Sequence, residues 1–210
     1  QLWLNDNGKT YQLTKFEQGL KSTRYDWSPD GRTLTVNVKN KVTIVNLDGS
    51  YREIKSPIAI NLIMPWTNQN KILVTDIQAG KHRLHSVDIE TGETTDLNIE
   101  NVLWSAYGND NQIIYVDREN NFWLNSTEGR QPISLLNQKL FGNYVLQKDN
   151  FLYGINAQVQ LWRFNINTNE LQVITTLDKD ISYVSDIKGT QMLATKFIGG
   201  RRELVEFSQR

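Results

Sequence analysis

Cysteine is absent from the 210 residues, and histidine occurs only twice. The absence of cysteine excludes a disulfide scaffold, a cysteine-based zinc site and a thiol nucleophile. Charge of neither sign is in excess, because Lys+Arg and Asp+Glu both number 23 and the formal net charge is zero. The chain therefore has no general electrostatic attraction to nucleic acid or to an anionic membrane, and we expect it to make no direct nucleic-acid contact.

Long apolar runs are also missing. No stretch approaches the ~18 apolar residues that cross a bilayer, so we expect no membrane span in this chain. No signal peptide is recognisable, and the first residue is Gln1 rather than Met. We expect the chain to be a processed or excised portion of a longer protein.

The two histidines, His82 and His85, bear on metal binding and on hydrolysis. If both lie in one strand, their side chains point to opposite faces, because side chains alternate with a period of two. They cannot then share a metal ion. A hydrolytic triad needs a histidine placed against a nucleophile, and no G-x-S-x-G motif is present. We predict no catalytic residue, no metal site and no cofactor.

What the sequence does contain is a repeat of about 40 residues. Trp3, Trp123 and Trp162 lie in similar aromatic-apolar segments, separated by 120 and 39 positions. Apolar segments also occur at the intervening positions that this period predicts. We name these segments strand c; the six copies are 2–4, 42–45, 83–87, 122–124, 161–163 and 203–207.

Each repeat has three further short segments with strand character. A polar turn rich in Gly and Asn follows nearly every strand c and leads to a short strand d, as in a tight hairpin. A strand a and a strand b, joined by another polar turn, precede strand c. Pro132 falls in a strand d; because it cannot donate to a ladder, it suits an edge strand.

Four short antiparallel strands in about 40 residues are typical of the blades of a β-propeller, in which neighbouring sheets share a core. We predict an all-β protein, a β-propeller of four-stranded antiparallel blades in a single domain or segment, 1–210. Its parts are a c–d hairpin (1–14), four repeats (approximately 22–55, 58–98, 101–136 and 142–177) and a final a–b–c set (181–208). The blade number is five or six. A truncated or incomplete six-blade ring is favoured, and a five-blade closure with 2–4 as an added edge is the alternative.

The stretch Trp27-Ser28-Pro29-Asp30-Gly31 resembles the W-S-P-D-G motif of TolB-like (WD-repeat-like) propeller repeats. The hairpin over residues 2–14 is similar to another recurrent element of that family. The other repeats keep the spacing but have Asn-Gln-Asn, Asn-Asp-Asn or Lys-Asp-Asn at the turn. The specific motif is therefore confined to the first complete repeat, whereas the repeat pattern extends over the whole chain.

The resemblance implies a domain that binds rather than catalyses. Such propellers form the periplasmic C-terminal sensory parts of membrane-anchored transcriptional regulators of the ToxR or CadC type, to which the run 12–19 is similar. They also occur as periplasmic scaffolds and as non-catalytic domains of prolyl-oligopeptidase-like hydrolases. Our leading hypothesis is a sensory or protein-interaction propeller of a membrane-anchored bacterial regulator, with the scaffold and the hydrolase domain as alternatives.

The face that carries the b–c and d–a loops is the expected surface for a protein partner or a small ligand, because loops on a rigid scaffold vary freely. Its b–c loops are predicted to be net basic, which suits an anionic ligand or an acidic partner. One strand a also contributes a ring that would face the central channel, Trp104. An incomplete ring exposes sheet edges, through which a homodimer could form. The candidate binding residues are Lys39, Lys41, Lys81, His82, Trp104, Arg118, Arg201 and Arg202.

Two carboxylates are relevant to an enzymatic alternative. Glycosidases use paired carboxylates, and in propellers these line the channel, hence strand a. Only Asp26 and Asp186 are acidic in the predicted strands a. Asp30 is predicted to be a turn residue rather than part of a sialidase motif.

Aromatic residues recur at two positions of the repeat. Trp3, Trp123 and Trp162 on strands c are predicted to pack between blades. A second set precedes the a–b turns and is predicted to fill the same rim in successive blades; it comprises Trp27, Trp66 and Tyr107.

Overall fold

The computed structural model describes residues 1–6, 8–17, 19–20, 25–108, 111–137 and 145–208, with side chains throughout except at 201–204 and 206–208. Within these ranges the chain forms twenty-one β-strands and no α-helix. The described part of the chain accordingly offers no helix long and apolar enough to span a bilayer. The strands belong to two compact units, Gln1–Tyr107 (unit 1) and Gly108–Arg210 (unit 2).

Unit 1 contains three antiparallel sheets and one further strand. Sheet 1 is β1–β2, sheet 2 is β3–β4–β5–β6 and sheet 3 is β7–β8–β9–β10, each in the order of the chain. The strands are β1 (Trp3–Asp6), β2 (Lys9–Gln12), β3 (Tyr25–Trp27), β4 (Thr33–Val38), β5 (Lys41–Asn46), β6 (Tyr51–Glu53), β7 (Leu62–Ile63), β8 (Lys71–Gln78), β9 (Lys81–Asp88), β10 (Thr94–Glu100) and β11 (Val102–Tyr107).

Unit 2 has the same kind of arrangement. In sheet 4 the strands β12, β13 and β14 pair in that order, in sheet 5 β15 to β18, and in sheet 6 β19 to β21. The strands are β12 (Ile113–Asp117), β13 (Phe122–Ser126), β14 (Gly129–Pro132), β15 (Leu146–Lys148), β16 (Phe151–Ile155), β17 (Gln160–Asn165), β18 (Glu170–Thr176), β19 (Ile181–Lys188), β20 (Gln191–Ile198) and β21 (Arg201–Ser208).

The strand order is that of a four-strand repeat. In chain order the strands form a c–d pair, four a–b–c–d sets and an a–b–c set. The predicted repeat 142–177 begins outside the described residues, and its first described strand, β15, begins at Leu146. The predicted edge position of Pro132, on the strand d β14, is confirmed. The fold class is therefore the predicted one, all-β with the four-stranded antiparallel sheets of a β-propeller.

The hairpins between strands b and c explain how register is set. In sheet 2 the turn is Lys39–Asn40 (φ 53° and 63°), and in sheet 3 it is Ala79–Gly80 (φ 48° and 78°). Two successive residues with positive φ define the type I′ turn, whose twist matches that of the flanking strands. Because the turn has only two residues, it fixes which residues of strands b and c face each other.

The cores lie between successive sheets. Large apolar side chains each contribute about 1.5–3 kcal/mol when buried, so these shared cores hold the sheets together. One cluster joins sheets 1 and 2: Leu2, Leu13, Phe16, Leu34, Val36, Val38 and Val45. Another joins sheets 2 and 3: Val42, Ile44, Ile54, Ile60, Ile63, Trp66, Ile72, Val74, Val87 and Ile89. A third joins sheets 5 and 6: Leu161, Ile181, Val184, Met192 and Ala194.

Candidate functional site

The b–c turns and the d–a connections of unit 1 are tied together by main-chain hydrogen bonds. Ile60 N donates to Asn40 O (2.8 Å), and Asn101 N donates to His82 O (2.7 Å). We call the segments 39–41, 54–61, 79–82 and 100–101 the unit 1 rim. Since backbone bonds connect its segments, the rim presents its side chains from a fixed backbone.

Two lysines of the unit 1 rim occupy the same position in consecutive sheets and form the same ion pair. Lys41, the first residue of β5, lies 2.7 Å from Glu53, the last residue of β6. Lys81, the first residue of β9, lies 2.6 Å from Glu100, the last residue of β10. Each pair is partly exposed and worth about 0.2–1 kcal/mol.

These pairs reduce the positive charge of the predicted net basic rim. The prediction considered the b–c loops alone, but each strand d ends beside the start of its strand c and brings a glutamate there. Lys41 and Lys81 are therefore neutralised locally. Lys39 is exposed, and no ion pair to it occurs among the described residues. With Glu53 included, the unit 1 rim has four lysines (39, 41, 55 and 81) against two glutamates, so an excess of positive charge remains.

One face of sheet 3 carries a chain of polar contacts that reaches the rim. Gln78 Nε2 donates to Asp76 Oδ2 (2.7 Å), and Arg83 Nη1 donates to Gln78 Oε1 (2.9 Å). Arg83 also lies 3.0 Å from Asp96 and 3.8 Å from Glu100. We call this set the sheet 3 polar face; it comprises Asp76, Gln78, Lys81, Arg83, His85, Asp96 and Glu100.

The inner end of the sheet 3 polar face is a buried histidine–aspartate pair. His85 Nε2 donates to Asp76 Oδ1 at 3.0 Å, and the two residues are 3% and 5% exposed. Buried polar groups of this kind cost free energy unless they are hydrogen-bonded. Both carboxylate oxygens of Asp76 are hydrogen-bonded, because Gln78 donates to the second of them. It therefore fixes the orientation of the side chains that lead to the rim.

The other predicted binding residues are dispersed. His82 is half-buried and its Nδ1 accepts from Asn61 Nδ2 (3.3 Å), so the two histidines have different surroundings, as alternation predicts. Trp104 is 7% exposed and offers little ring surface to a ligand. Arg118 is exposed in unit 2. The side chains of Arg201 and Arg202 lie outside the described residues. The binding role of the predicted set stays a prediction.

The predicted packing of the three strand-c tryptophans holds for one of them. Trp162 is fully buried, whereas Trp3 is 63% exposed, so the prediction is wrong for Trp3. Trp3 lies on the face of β1 that sheet 2 does not cover. Trp123 is half-buried: the guanidinium of Arg130 lies 3.8 Å from its ring centroid, and its Nε1 donates to Asp117 (2.8 Å).

Asp117 stabilises the turn that follows β12, because it accepts from the main-chain N of Asn121 (2.8 Å). Burial raises the pKa of its carboxyl, but hydrogen bonds from Asn121 and from Trp123 outweigh burial and hold that pKa below its ordinary value. Asp30 has the turn role predicted for it. Ser28 Oγ donates to Asp30 Oδ1 (2.6 Å), and this bond lowers the pKa of Asp30.

The two strand-a carboxylates considered for the glycosidase alternative, Asp26 and Asp186, each contact a neighbouring sheet. Asp26 Oδ2 accepts from the main-chain N of Trp66 (2.9 Å), one repeat further along the chain. Asp186 lies 3.1 Å from Lys148 Nζ and accepts from its neighbour's main-chain N. The first contact ties sheet 2 to sheet 3, and the second ties sheet 5 to sheet 6.

Sequence reasoning missed the Asp76–His85 pair. The two-residue turn at 79–80 sets the register, in which Asp76 faces Arg83 and Val74 faces His85. Residues 74, 76 and 78 therefore share a face with 81, 83 and 85. The signal that could have found the pair is the turn type, because a two-residue turn at 79–80 dictates this register and brings Asp76 beside His85.

No group of three or more His, Cys, Asp or Glu side chains suited to a metal ion occurs in the part of the chain that the structure describes. No protein-family profile matches the chain, and no curated protein matches it. The chain is similar in fold to several solved structures.

TolB from Acinetobacter baumannii matches 97% of this chain with a TM-score of 0.65 and 14% identity, and the match covers 55% of that protein. A putative TolB from Agrobacterium tumefaciens matches 95% of the chain with a TM-score of 0.63 and 13% identity, over 85% of its own length. The tricorn protease matches 86% of the chain with a TM-score of 0.61 and 14% identity, over 21% of its length. At these identities the likeness shows a TolB-like propeller fold and nothing about activity.

Proposed function

We propose that this chain is a non-enzymatic β-propeller that binds a protein partner or a small ligand at the face of its b–c and d–a loops. In this proposal it is the periplasmic sensory or interaction part of a membrane-anchored bacterial transcriptional regulator. The observation that supports binding is the sheet 3 polar face. Charged side chains held in one orientation before a partner arrives lose little entropy when it binds.

The sheet 3 polar face suits recognition because its charges alternate in sign over a short distance. Lys81 and Glu100 stand at the rim, Arg83 and Asp96 lie behind them, and His85 anchors the row from within. Such a mixed pattern selects partners by charge complementarity rather than by bulk attraction. A partner with paired acidic and basic groups fits this pattern better than a uniformly anionic one.

A TolB-like periplasmic scaffold is the second candidate, and the fold likeness to two TolB structures favours it. Both candidates are binding proteins without a cofactor. They differ in what binding does: a regulator's propeller changes transcription, whereas a scaffold holds envelope proteins together.

Charge reversal on the loop face distinguishes them. Lys39→Glu/Lys81→Glu, which changes two lysines of the unit 1 rim, is introduced into the whole gene product in its native host, and transcripts are compared with the wild type by RNA sequencing. Both side chains are exposed. The matched control is Arg32→Glu/Lys188→Glu, which reverses two exposed charges at a–b turns.

The regulator proposal expects altered transcription of a restricted set of genes with Lys39→Glu/Lys81→Glu and a normal profile with the control. Unchanged transcripts in both variants contradict it. The scaffold candidate instead expects unchanged transcripts together with loss of a co-purified envelope protein. Equal thermal unfolding temperatures of the two variants establish that folding is not the cause.

A further inference from the structure

A line of hydrogen bonds crosses the unit 1 rim from the b–c turn of sheet 2 to the start of β11. Ile60 N donates to Asn40 O (2.8 Å), which ties the connection between β6 and β7 to that turn. The next residue, Asn61, donates from Nδ2 to His82 Nδ1 (3.3 Å). His82 O in turn accepts from the main-chain N of Asn101 (2.7 Å), the residue before β11. The hydrogen bonds therefore fix the geometry of the rim along this line.

One position on this line differs between sheets 2 and 3. Ile77 faces His82 across its hairpin, and Asn37 occupies the equivalent position in sheet 2, because both b–c turns have two residues. Asn37 is 1% exposed, and its Nδ2 donates to the main-chain oxygens of Ile60 and Asn61 (3.1 Å each). Ile77 has no polar side-chain atom for such bonds and is 53% exposed. An aliphatic side chain is therefore exposed where the preceding repeat has a buried polar one.

A second exposed aliphatic side chain lies on the adjoining strand. Leu103, two residues after Asn101, is 36% exposed. Its neighbours Val102 and Trp104 are buried, so Leu103 is on the open side of β11. β11 contacts both β8, which contains Ile77, and β9. Exposed apolar residues that lie singly are ordinary, whereas apolar side chains grouped on one surface suit a binding role.

The other end of the line carries positive charge that no described residue compensates. Lys39 precedes Asn40 in the turn of sheet 2; it is exposed, and no ion pair to it occurs among the described residues. A carboxylate on a partner complements such a charge and favours the correct partner over others. We call this surface the rim strip; it comprises Lys39, Asn61, Ile77, His82 and Leu103.

We infer that the rim strip is a docking surface for a short segment of a partner protein. The segment places an aliphatic or aromatic side chain on Ile77 and Leu103 and a carboxylate beside Lys39. This inference rests on the proposed function and specifies the chemistry of its partner. A uniformly anionic partner does not fit, because the end of the strip at Ile77 and Leu103 is apolar.

The openness of the rim strip favours a protein segment over a small molecule. Sites for small molecules enclose most of the ligand's surface, whereas Ile77 and Leu103 lie on an open surface. The strip is also not the place of a missing strand. Sheets 2 and 3 each have four paired strands, the full number for a blade of a β-propeller.

A peptide selection tests the inference. A phage-displayed library of random dodecapeptides is first depleted on the Ile77→Thr/Leu103→Thr variant and is then selected on the wild-type 210-residue chain. The depletion removes peptides that bind elsewhere on the protein. We expect enriched sequences that combine Leu, Ile, Phe or Trp with at least one Asp or Glu.

Affinity measurements then locate the bound peptide. A fluorescein-labelled copy of the most enriched peptide is titrated with each variant and followed by anisotropy. We expect at least about tenfold weaker binding to Ile77→Thr/Leu103→Thr and about two- to fivefold weaker binding to Lys39→Gln.

Two matched controls are expected to bind the peptide with wild-type affinity. Val173→Thr changes an exposed apolar residue on β18, and Lys188→Gln removes an exposed charge at an a–b turn. Equal thermal unfolding temperatures of all variants establish that folding is not the cause of weaker binding.

Three results overturn the inference: no enriched peptide, enriched peptides without acidic residues, or wild-type affinity for Ile77→Thr/Leu103→Thr or for Lys39→Gln. Peptides that are enriched only without the depletion step, and that Lys81→Gln weakens, also overturn it but leave binding at the loop face in place. Peptides that depend on the rim strip, together with unchanged transcripts, contradict the regulator role and leave the docking surface in place.

Discussion

Gly154 and Trp162 face each other across the ladder between β16 and β17, and the indole of Trp162 occupies the space where a side chain at 154 would lie. A Cβ built at position 154 would be 2.3 Å from Cζ2 of Trp162. The backbone at 154 needs no glycine for its conformation, since no positive φ is found there. Glycine is present because the ring needs the room.

Gly154→Ala is accordingly expected to destabilise the protein by about 1–3 kcal/mol, the usual cost of overpacking a core. Urea denaturation followed by tryptophan fluorescence measures it. Gly19→Ala is the matched control, because a Cβ at Gly19 meets nothing within 4 Å. Equal stability of the two variants would show that Trp162 is not packed against β16.

Asp76→Ala is expected to cost about 1–3 kcal/mol, because it leaves His85 buried without its acceptor. Asp96→Ala removes the partly exposed carboxylate that pairs with Arg83 and is expected to cost less than about 1 kcal/mol. Chemical denaturation at pH 7 gives both values. A loss for Asp96→Ala as large as that for Asp76→Ala would contradict the assignment of the buried end of the sheet 3 polar face.

Stability is expected to fall at alkaline pH because of Tyr115. Burial raises its pKa to about 12, whereas tyrosine in an unfolded chain titrates near 10. The folded state therefore holds this proton more tightly, so the contribution is complete below pH 10 and is lost as pH rises from about 10 to 12. Burial also raises the pKa of Tyr107, which acts in the same direction.

Tyr115→Phe is expected to reduce this alkaline loss, measured as the slope of unfolding free energy against pH from pH 9 to pH 11. At pH 7 the substitution is expected to be nearly neutral, because the Tyr115 hydroxyl is buried and has no hydrogen-bond partner in the described part of the chain. An unchanged slope would contradict the assignment of the alkaline loss of stability to Tyr115.

Ala79→Gly is expected to stabilise the protein by about 0.5–1 kcal/mol. Ala79 has φ 48°, a left-handed conformation that costs a non-glycine residue about 1–2 kcal/mol, and the greater freedom of glycine in the unfolded chain offsets part of the gain. Gly80→Ala, at φ 78°, is expected to destabilise. Thermal unfolding of both variants checks the opposite signs. The same sign for both would contradict the type I′ turn.

The fold could be predicted because weak strand and turn patterns recur along the chain at a constant spacing of about 40 residues. No single segment identifies β13 as a strand, but its distance from Trp162 and from the turns on either side does. Boundaries were less predictable: the first hairpin was predicted to extend over 1–14, and in the structure its second strand, β2, ends at Gln12.

The candidate site was harder to predict, because it depends on contacts across strands. Trp3 and Trp162 occupy the same position in the repeat, yet one is exposed and the other is buried. What differs is the neighbouring sheet, which a repeat pattern does not report. Likewise, the charge of the rim depends on Glu53 and Glu100 at the ends of strands d, which are distant in sequence from the lysines they neutralise.

Hydrogen exchange of individual amides tests the repeated four-strand module most directly. Thr43 and Val45 in β5 face strand b of their own sheet, and Trp3 and Asn5 are their equivalents in β1. We predict strong protection of Thr43, Val45 and Leu4, and exchange of Trp3 and Asn5 at rates close to those of unstructured peptide. Protection of Trp3 and Asn5 equal to that of Thr43 and Val45 in the isolated chain would contradict the account.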